Sequence, residues 1–492
     1  MLHNLGLVWL RRDLRLNDNA ALYHALHNCK KVVCVFIFDS NILSKLDKED
    51  RRLTFIYESI QDIKNSLNEI TTEIDKKLLI LHGNPTEIIP QIAHDLAIDA
   101  VFTNHDYEQY AINRDNQIQQ NLSQHNISFY SYKDQVISEK LEVLSKTNSV
   151  YTVFTPYKKA WLQNFANYNL PNYVVDKQLL QDKLNDELLD MHNINSNLVH
   201  SLEQIGFVPQ NLLIKAGENH AQNYFNEFLD RINNYHNLRD FPSVKGVSYL
   251  STHLRFGTIS IRQLVHHAYN LCIHGNEGAT TWLSELIWRE FFMQILSNFS
   301  YIEQGKSFNT KYDNLVWRSD EKAQQDFGLW CKGETGYPIV DAAMRQLNHS
   351  GYMHNRLRMV SASFLIKNMG IDWRWGEAYF AKQLLDFDFS ANNGGWQWCA
   401  STGCDAQPYF RIFNPMTQSE KFDAQAKFIK KYIPELENLP VKYIHAPWEA
   451  PADVLEQADI KLGKDYPFPI VDYKISREQT LARYKMIGEN NR

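Results

Sequence analysis

Nowhere in the 492-residue chain do 18 uncharged apolar residues run together, which excludes an ordinary membrane-spanning helix. The opening residues Met1-Leu2-His3-Asn4-Leu5 hold no basic segment leading into an apolar one, so no secretory leader is expected. Cysteine is scarce. The six are Cys29, Cys34, Cys272, Cys331, Cys399 and Cys404; no two have C-x-x-C spacing, and a chain of this size needs no staples. Reduced thiols and no metal centre are therefore expected. Positive charge is not in excess either: the net charge is -6, so any nucleic-acid site must be a local patch on a mildly acidic body. Between Leu10 and Asn19 the chain reads Arg11-Arg12-Asp13-Leu14-Arg15-Leu16-Asn17-Asp18, without glycine. That excludes both the dinucleotide fingerprint and a Walker loop after the first strand. Internal repeats and low-complexity tracts are lacking as well. The expectation is a soluble, cytoplasmic protein, monomeric, with no membrane and no obligate protein partner.

What is present is apolar and aromatic. Hydrophobic residues make up 44% and charged residues 22%, the balance of a globular chain with large cores. Aromatics reach 13%, including 11 Trp, which serves well-filled cores or the stacking of rings on a flat ligand. Over residues 1–132, apolar runs (Leu5–Leu10, Lys31–Phe38, Lys77–His82, Ala100–Thr103, Ile127–Tyr132) alternate with amphipathic stretches (Asn19–Asn28, Arg51–Ile70, Pro85–Ala97, Gln109–His125). This predicts an α/β domain with a doubly wound, parallel, five-stranded sheet. Residues 133–205 lose periodicity and are expected to form a long linker, with one ordered piece at Tyr151–Tyr157. From 206 to 475 the patterns are helical (Gln222–Ile232, Ile261–Cys272, Thr281–Asn298, Ile339–Leu347, Leu357–Asn368, Trp375–Leu385), which predicts an all-α domain. Residues 476–492 are expected to add a final helix.

Two constellations in the helical part could carry chemistry. In Trp282–Phe292, helical spacing puts Glu285, Trp288, Arg289 and Phe292 on one face, where they offer a carboxylate, an indole and a guanidinium to a ligand with a flat ring and polar edges. The competing reading is a surface Glu-Arg pair beside core aromatics. In Leu384–Trp398, Asp386 and Asp388 alternate with apolar residues, and Asn392-Asn393-Gly394-Gly395 reads as a turn directly before Trp396-Gln397-Trp398. Between Asp341 and Lys431, eleven Lys and Arg face eight Asp and Glu. This small basic surplus, interleaved with tryptophans, suits stacked bases and held phosphates and equally suits a solvated helix face.

On the stretches Val8–Asn19, Trp282–Phe292, Gly336–Ser363 and Asp386–Lys421 the chain resembles the photolyase/cryptochrome family, and is most similar to the bacterial class I members that act on cyclobutane pyrimidine dimers. The resemblance runs in order over essentially the whole chain and is weakest at 160–220. It implies an α/β antenna domain, a linker and an FAD-binding helical domain. It implies that Tyr235, Val247, Ser248, Tyr249, Leu250, Ser251, Trp282, Arg289, Asn355, Asp386 and Asp388 hold FAD, with Val247 where many bacterial relatives have Thr. Asn392 resembles the family residue that faces flavin N5. Glu285, Trp288, Asn355, Met359 and Trp398 match the lesion pocket. Arg239, Arg356, Gln418 and Lys421 match contacts to the DNA backbone.

The resemblance further implies that Trp317, Trp373 and Trp396 relay electrons to the flavin, and that the active cofactor is the reduced FAD anion. The implied function is light-dependent repair of cyclobutane dimers in UV-damaged DNA by electron transfer from photoexcited FAD, a lyase reaction. The alternative is a cryptochrome-type photoreceptor without repair. Asn392, Met359 and the lack of a long tail after the final helix favour repair. A second, antenna chromophore is left open; Ala111 stands where folate-binding relatives carry an acidic residue, which argues against a folate bound in their way and leaves a deazaflavin, another flavin, a differently bound folate or no antenna.

Overall fold

The computed structural model describes residues 2–70, 78–184 and 197–489. Five parallel strands form one sheet: β1 (His3–Leu10), β2 (Cys29–Asp39), β3 (Leu78–Gly83), β4 (Ala100–Asn104) and β5 (Ser128–Tyr132), in the order β3-β2-β1-β4-β5. The intervening helices are α1 (Ala20–Asn28), α2 (Arg51–Asn68), α3 (Pro85–Asp95) and α4 (Gln109–Gln124). Local chemistry starts three of them: the side chains of Asn19, Asp50 and Asn84 each accept from a main-chain N–H in the first turn, and Pro85 opens α3, where its missing N–H costs nothing. Leu7, Trp9, Val33, Val35, Leu79 and Val101 fill one core of the sheet with side chains from α3 and α4. The predicted parallel sheet is the one observed, its strands within two residues of their expected limits.

By main-chain proximity the residues group into two compact units. The first contains 1–150, 158–230 and 248–298; the second contains 151–157, 231–247 and 299–492. The division differs from the sequence-based one, because helices α5 (Glu218–Leu229), α6 (Ile261–Ile273) and α7 (Glu277–Asn298) belong with the sheet. The glycine-free loop after β1 explains why. Asp134 accepts from Arg15 at 2.8 Å and from Arg262 of α6 at 2.8 Å. Burial opposes that charge, yet Arg15 and Arg262 together hold the carboxyl down at about 2. Gly257 has φ +65°, and a β-carbon there would sit 2.0 Å from the Arg12 carbonyl oxygen, so only glycine fits. The arginine-rich loop is thus a buried ionic joint between sheet and helices.

The expected linker holds more helix than its sequence indicated. Residues Phe154–Ala166 and Lys177–Lys183 are both helical, whereas residues 185–196 lie outside those described.

The second unit is helical. Its main elements are α8 (Pro338–Ser350), α9 (Asn355–Ser363), α10 (Trp373–Gln383), α11 (Phe389–Ala400), α12 (Pro415–Phe422) and α13 (Tyr473–Glu489). The predicted Leu357–Asn368 helix is broken: after Ser363 the chain widens into a π turn, Phe364–Asn368, in which Met369 N–H donates to the Phe364 carbonyl. The expected turn at Asn392–Gly395 is not formed. Those residues lie inside α11, because Asp388 caps the helix through the N–H groups of Ser390 and Ala391 and the buried Asn393, Trp396 and Gln397 hold its far side in the core. Tertiary packing overrides the two glycines, which cost a helix about 1 kcal/mol each. Among the described residues no helix is long and apolar enough to cross a membrane.

Candidate functional site

In the first unit, α7 supplies the expected face. Its partly exposed stripe is Thr281, Ser284, Glu285, Trp288, Arg289 and Phe292, while Leu283, Leu286, Ile287, Glu290 and Phe291 are buried. The Trp288 ring sits 5.4 Å from Phe292 and 5.5 Å from Phe291, so its orientation is braced. Arg289 donates to the Gln135 carbonyl at 2.6 Å and to the Leu254 carbonyl at 3.4 Å. Trp282 is 3% exposed and packs on Phe225 and Phe228, so it supports the helix from inside the core.

Sequence reasoning missed Glu290. Its carboxylate accepts from Ile137 N–H at 2.7 Å, Ser138 N–H at 3.0 Å and the Trp161 indole. Burial pushes this acid up to about 7 against those three donors. A charge on the apolar face of α7 was the available signal. Its role is to tie the segment after β5 to the helix that carries Glu285 and Trp288.

Residues Ser248–Ser251 lead into the short helix Ser251–Phe256, which starts without a side-chain cap. Tyr249 has φ +58°, an uncommon conformation for a bulky residue; the Ser248 hydroxyl accepts from Leu250 N–H at 3.4 Å. A strained turn, two hydroxyls and an uncapped helix start suit a phosphate group.

The second unit holds the remaining residues. Tyr235 is buried beneath the Arg239 guanidinium, 5.5 Å above its ring, and the Val247 carbonyl accepts from Arg231 at 3.0 Å. At the start of α9, Asn355 is exposed, with its amide 4.0 Å from the Met359 sulfur. Arg356 pairs with Asp240 at 2.9 Å and lies 4.5 Å over the Phe422 ring, which the Lys421 ammonium also approaches at 5.2 Å. Asn355, Arg356, Met359 and Lys421 therefore form one patch around Phe422, and Gln418 lies on the same helix, α12, as Lys421. Trp398 is partly buried against the main core.

Asp386, one of the two alternating acids, faces inward. It is 8% exposed and takes both Nη2 contacts of Arg358, at 2.8 and 3.0 Å. Arg358 is a second residue the sequence reading missed; it lies within the Asn355–Met359 run. Asn392 donates to the Glu377 carbonyl at 3.1 Å. Burial raises the Glu377 carboxyl to about 7, Asn393 and Arg374 opposing and Asp372 adding to the rise. An amide fixed this way suits the polar edge of a flavin, whose N5 exchanges between acceptor and donor on reduction.

The three expected relay tryptophans differ in surroundings. Trp396 is 2% exposed, edge-on to Phe380 at 5.0 Å. Trp373 is fully buried at the start of α10, under the Arg374 guanidinium. Trp317 is partly exposed and edge-on to Tyr484 of α13 at 6.4 Å. In the sheet domain, the guanidiniums of Arg11 and Arg114 lie 4.6 and 4.8 Å from the centre of the Trp9 ring, while Ala111 is buried. Among the described residues no cluster of His, Cys, Asp and Glu could hold a metal ion.

Comparison with known proteins bears on the whole chain. The family model described as DNA photolyase matches residues 6–176, and that described as the FAD binding domain of DNA photolyase matches 282–486. The chain is 38% identical to the deoxyribodipyrimidine photo-lyase of Vibrio cholerae over 98% of its own length and 99% of that protein. Its structure is similar to a bacterial class III photolyase of Agrobacterium tumefaciens, with a TM-score of 0.86, 32% identity and coverage of 99% and 98% of the two chains. It is also similar to a Synechocystis cryptochrome, with a TM-score of 0.85, 28% identity and 99% coverage of each chain.

Proposed function

Because this chain belongs to the DNA photolyase family, we propose that it is a deoxyribodipyrimidine photo-lyase, which repairs pyrimidine dimers in UV-damaged DNA in a light-dependent reaction. The observation that carries this reading is the near full-length identity to curated photo-lyases; it favours repair over a photoreceptor role. Reduced FAD, when bound, supplies the photo-excitable electron donor.

The protein's own residues then have separable tasks. Ser248, Ser251 and the main chain between them hold the phosphates, and Tyr235, Val247, Tyr249, Leu250, Trp282, Arg289, Asn355, Asp386 and Asp388 complete the cofactor's surroundings. Asn392 meets the flavin N5 edge. Trp288 and Trp398 stack on the two pyrimidines of the dimer, while Glu285 and Asn355 bond to their polar edges and Met359 fills the apolar remainder. Arg239, Arg356, Gln418 and Lys421 hold the phosphate backbone. Support comes from Arg356 and Lys421, two cations gathered on Phe422 in a protein of net charge -6. Trp317, Trp373 and Trp396 pass an electron inward when the cofactor has become oxidised. The enzyme acts as a cytoplasmic monomer with no obligate partner, and its antenna chromophore, where one is carried, is not a folate bound through position 111.

The test is repair of a thymine-dimer oligonucleotide by the purified, photoreduced protein in light and in darkness. Dimer loss only under light is expected. A flavin-loaded protein that leaves the dimer intact in light would establish the photoreceptor reading instead.

A further inference from the structure

The second unit contains a lysine that water does not reach. After α9, the π turn Phe364–Asn368 takes in more residues than a regular helical turn and buries all five of its side chains, Lys367 among them. Lys367 is 0% exposed, and its main-chain carbonyl accepts from the Thr480 hydroxyl of α13 at 2.5 Å. Its ammonium donates to the Ser401 hydroxyl at 3.1 Å and to the Arg411 carbonyl at 3.0 Å; among the described residues it pairs with no carboxylate. Burial pushes the ammonium down to about 8, Cys399 opposing and Arg411 adding to the fall. Taking a cation out of water without a counter-charge is destabilising, and a methionine would fill the same space without that cost. Packing therefore does not explain a lysine here; the two groups it holds do.

Both acceptors belong to one loop, residues 401–414, which joins α11 to α12. Ser401 ends α11 with φ +60°, one helical turn after Trp398. Arg411 closes a tight turn, its N–H donating to the Pro408 carbonyl at 3.0 Å. The outer side of that turn faces solvent, with Phe410 62% exposed and Arg411 exposed beside it. Lys367 thus ties the loop from within at two points, one next to the helix of Trp398 and one shortly before the helix of Gln418 and Lys421. We propose that Lys367 is a positioning residue for damaged-DNA binding, its ammonium fixing the 401–411 loop so that the end of α11 and the start of α12 meet the lesion-bearing strand together. This rests on the reading of Trp398, Gln418 and Lys421 as lesion and phosphate contacts. Being fully buried, Lys367 acts through the loop and makes no contact with DNA itself.

The experiment compares FAD-loaded Lys367→Met and Ser401→Gly with the unaltered protein. Dark binding to a thymine-dimer oligonucleotide is read by anisotropy, repair per absorbed photon at saturating DNA by dimer loss, and stability by the urea midpoint. Lys367→Met should weaken dimer binding about tenfold, the loss of hydrogen bonds from a charged group, with flavin content and repair yield at saturation unchanged. Ser401→Gly removes one of the two acceptors and should weaken binding about threefold. Glycine takes up φ +60° without strain, so the urea midpoint of this variant should not fall. Weaker binding at an undiminished midpoint is what a purely structural role would not give. Unchanged dimer affinity in flavin-loaded Lys367→Met overturns the proposal, and so does a lower yield at saturation with affinity intact. Where Lys367→Met fails to fold or to hold flavin, Ser401→Gly decides, and unchanged affinity in it overturns the proposal. An unaltered, flavin-loaded protein that binds dimer-containing and undamaged DNA alike overturns the functional reading beneath.

Discussion

A β-carbon on Gly376 would lie 2.1 Å from Cη2 of Trp396 and 2.6 Å from a methyl carbon of Leu365. Helices α10 and α11 are therefore in contact at one residue that no other amino acid can replace without movement. The ring that presses on it belongs to one of the three tryptophans proposed for electron relay.

Gly376→Ala should destabilise the second unit. Overpacking in a filled core costs about 1–3 kcal/mol, against about 1 kcal/mol that alanine returns in helix propensity. The net expectation is a lower urea midpoint and a red-shifted, broadened Trp emission. An unchanged midpoint would show that the Trp396 ring slides freely, contrary to its edge-on seat on Phe380.

Arg358→Ala should be costlier. It removes the partner of Asp386, whose side chain is 4% exposed, and so leaves a buried carboxylate without its cation. Removing one member of a buried pair costs about 3–5 kcal/mol, and the partial exposure of Arg358 points to the lower part of that range. Asp386→Asn keeps the shape and removes the charge, so its cost should be smaller. A double-mutant cycle in urea checks both, and independent, additive effects would count against the pair.

The sheet was legible because the central strands carry long apolar runs and three of the helices between the strands start at a side-chain cap. The partly exposed stripe of α7 was legible because helical spacing alone puts Glu285, Trp288 and Arg289 together. Asn392–Gly395 misled for a physical reason: its turn propensity is local, whereas the forces that keep it helical come from Asp388 and from the core against Trp396 and Gln397. Glu290, Arg358 and Glu377 went unnoticed because each acts through partners remote in sequence, which spacing cannot reveal. The roles proposed for Asn392 and Met359 rest on resemblance alone, since an asparagine and a methionine carry no chemistry of their own that points to a flavin or a dimer.

His354 should give the protein an acid-sensitive step. It is 2% exposed, and burial lowers it to about 4, Arg356 and Arg358 adding to the fall and Asp240 opposing. The unfolded chain takes up this proton near pH 6.5 and the folded one near 4, so stability is full above 6.5 and is lost as pH falls between the two values. The slope from this residue approaches about 1.4 kcal/mol per pH unit. His354→Asn keeps an acceptor for Arg356 N–H, which His354 now caps at 3.2 Å, and does not titrate. Urea midpoints measured from pH 7 to pH 4.5 should fall more steeply for the unaltered protein than for the variant. Parallel curves would show that the imidazole is solvated when the chain is folded.

Glu285→Ala should separate lesion recognition from cofactor binding. Glu285 lies on the partly exposed stripe of α7, and its removal leaves Arg289 bonded to the Gln135 and Leu254 carbonyls and Trp288 braced by Phe291 and Phe292. Flavin content and folding should therefore be unchanged. A hydrogen bond to a charged group contributes about 1.5–3 kcal/mol, so affinity for a dimer-containing oligonucleotide should fall by about ten- to a hundredfold, with affinity for undamaged DNA little altered because the proposed phosphate contacts are Arg239, Arg356 and Lys421. Repair per absorbed photon at saturating substrate distinguishes two roles for the carboxylate. If it only binds the pyrimidine edge, saturation restores the yield; if it also stabilises the dimer once the electron has arrived, the yield stays low at any DNA concentration. Equal affinity and equal yield in variant and parent would remove Glu285 from the lesion pocket and leave Trp288 and Asn355 to account for recognition.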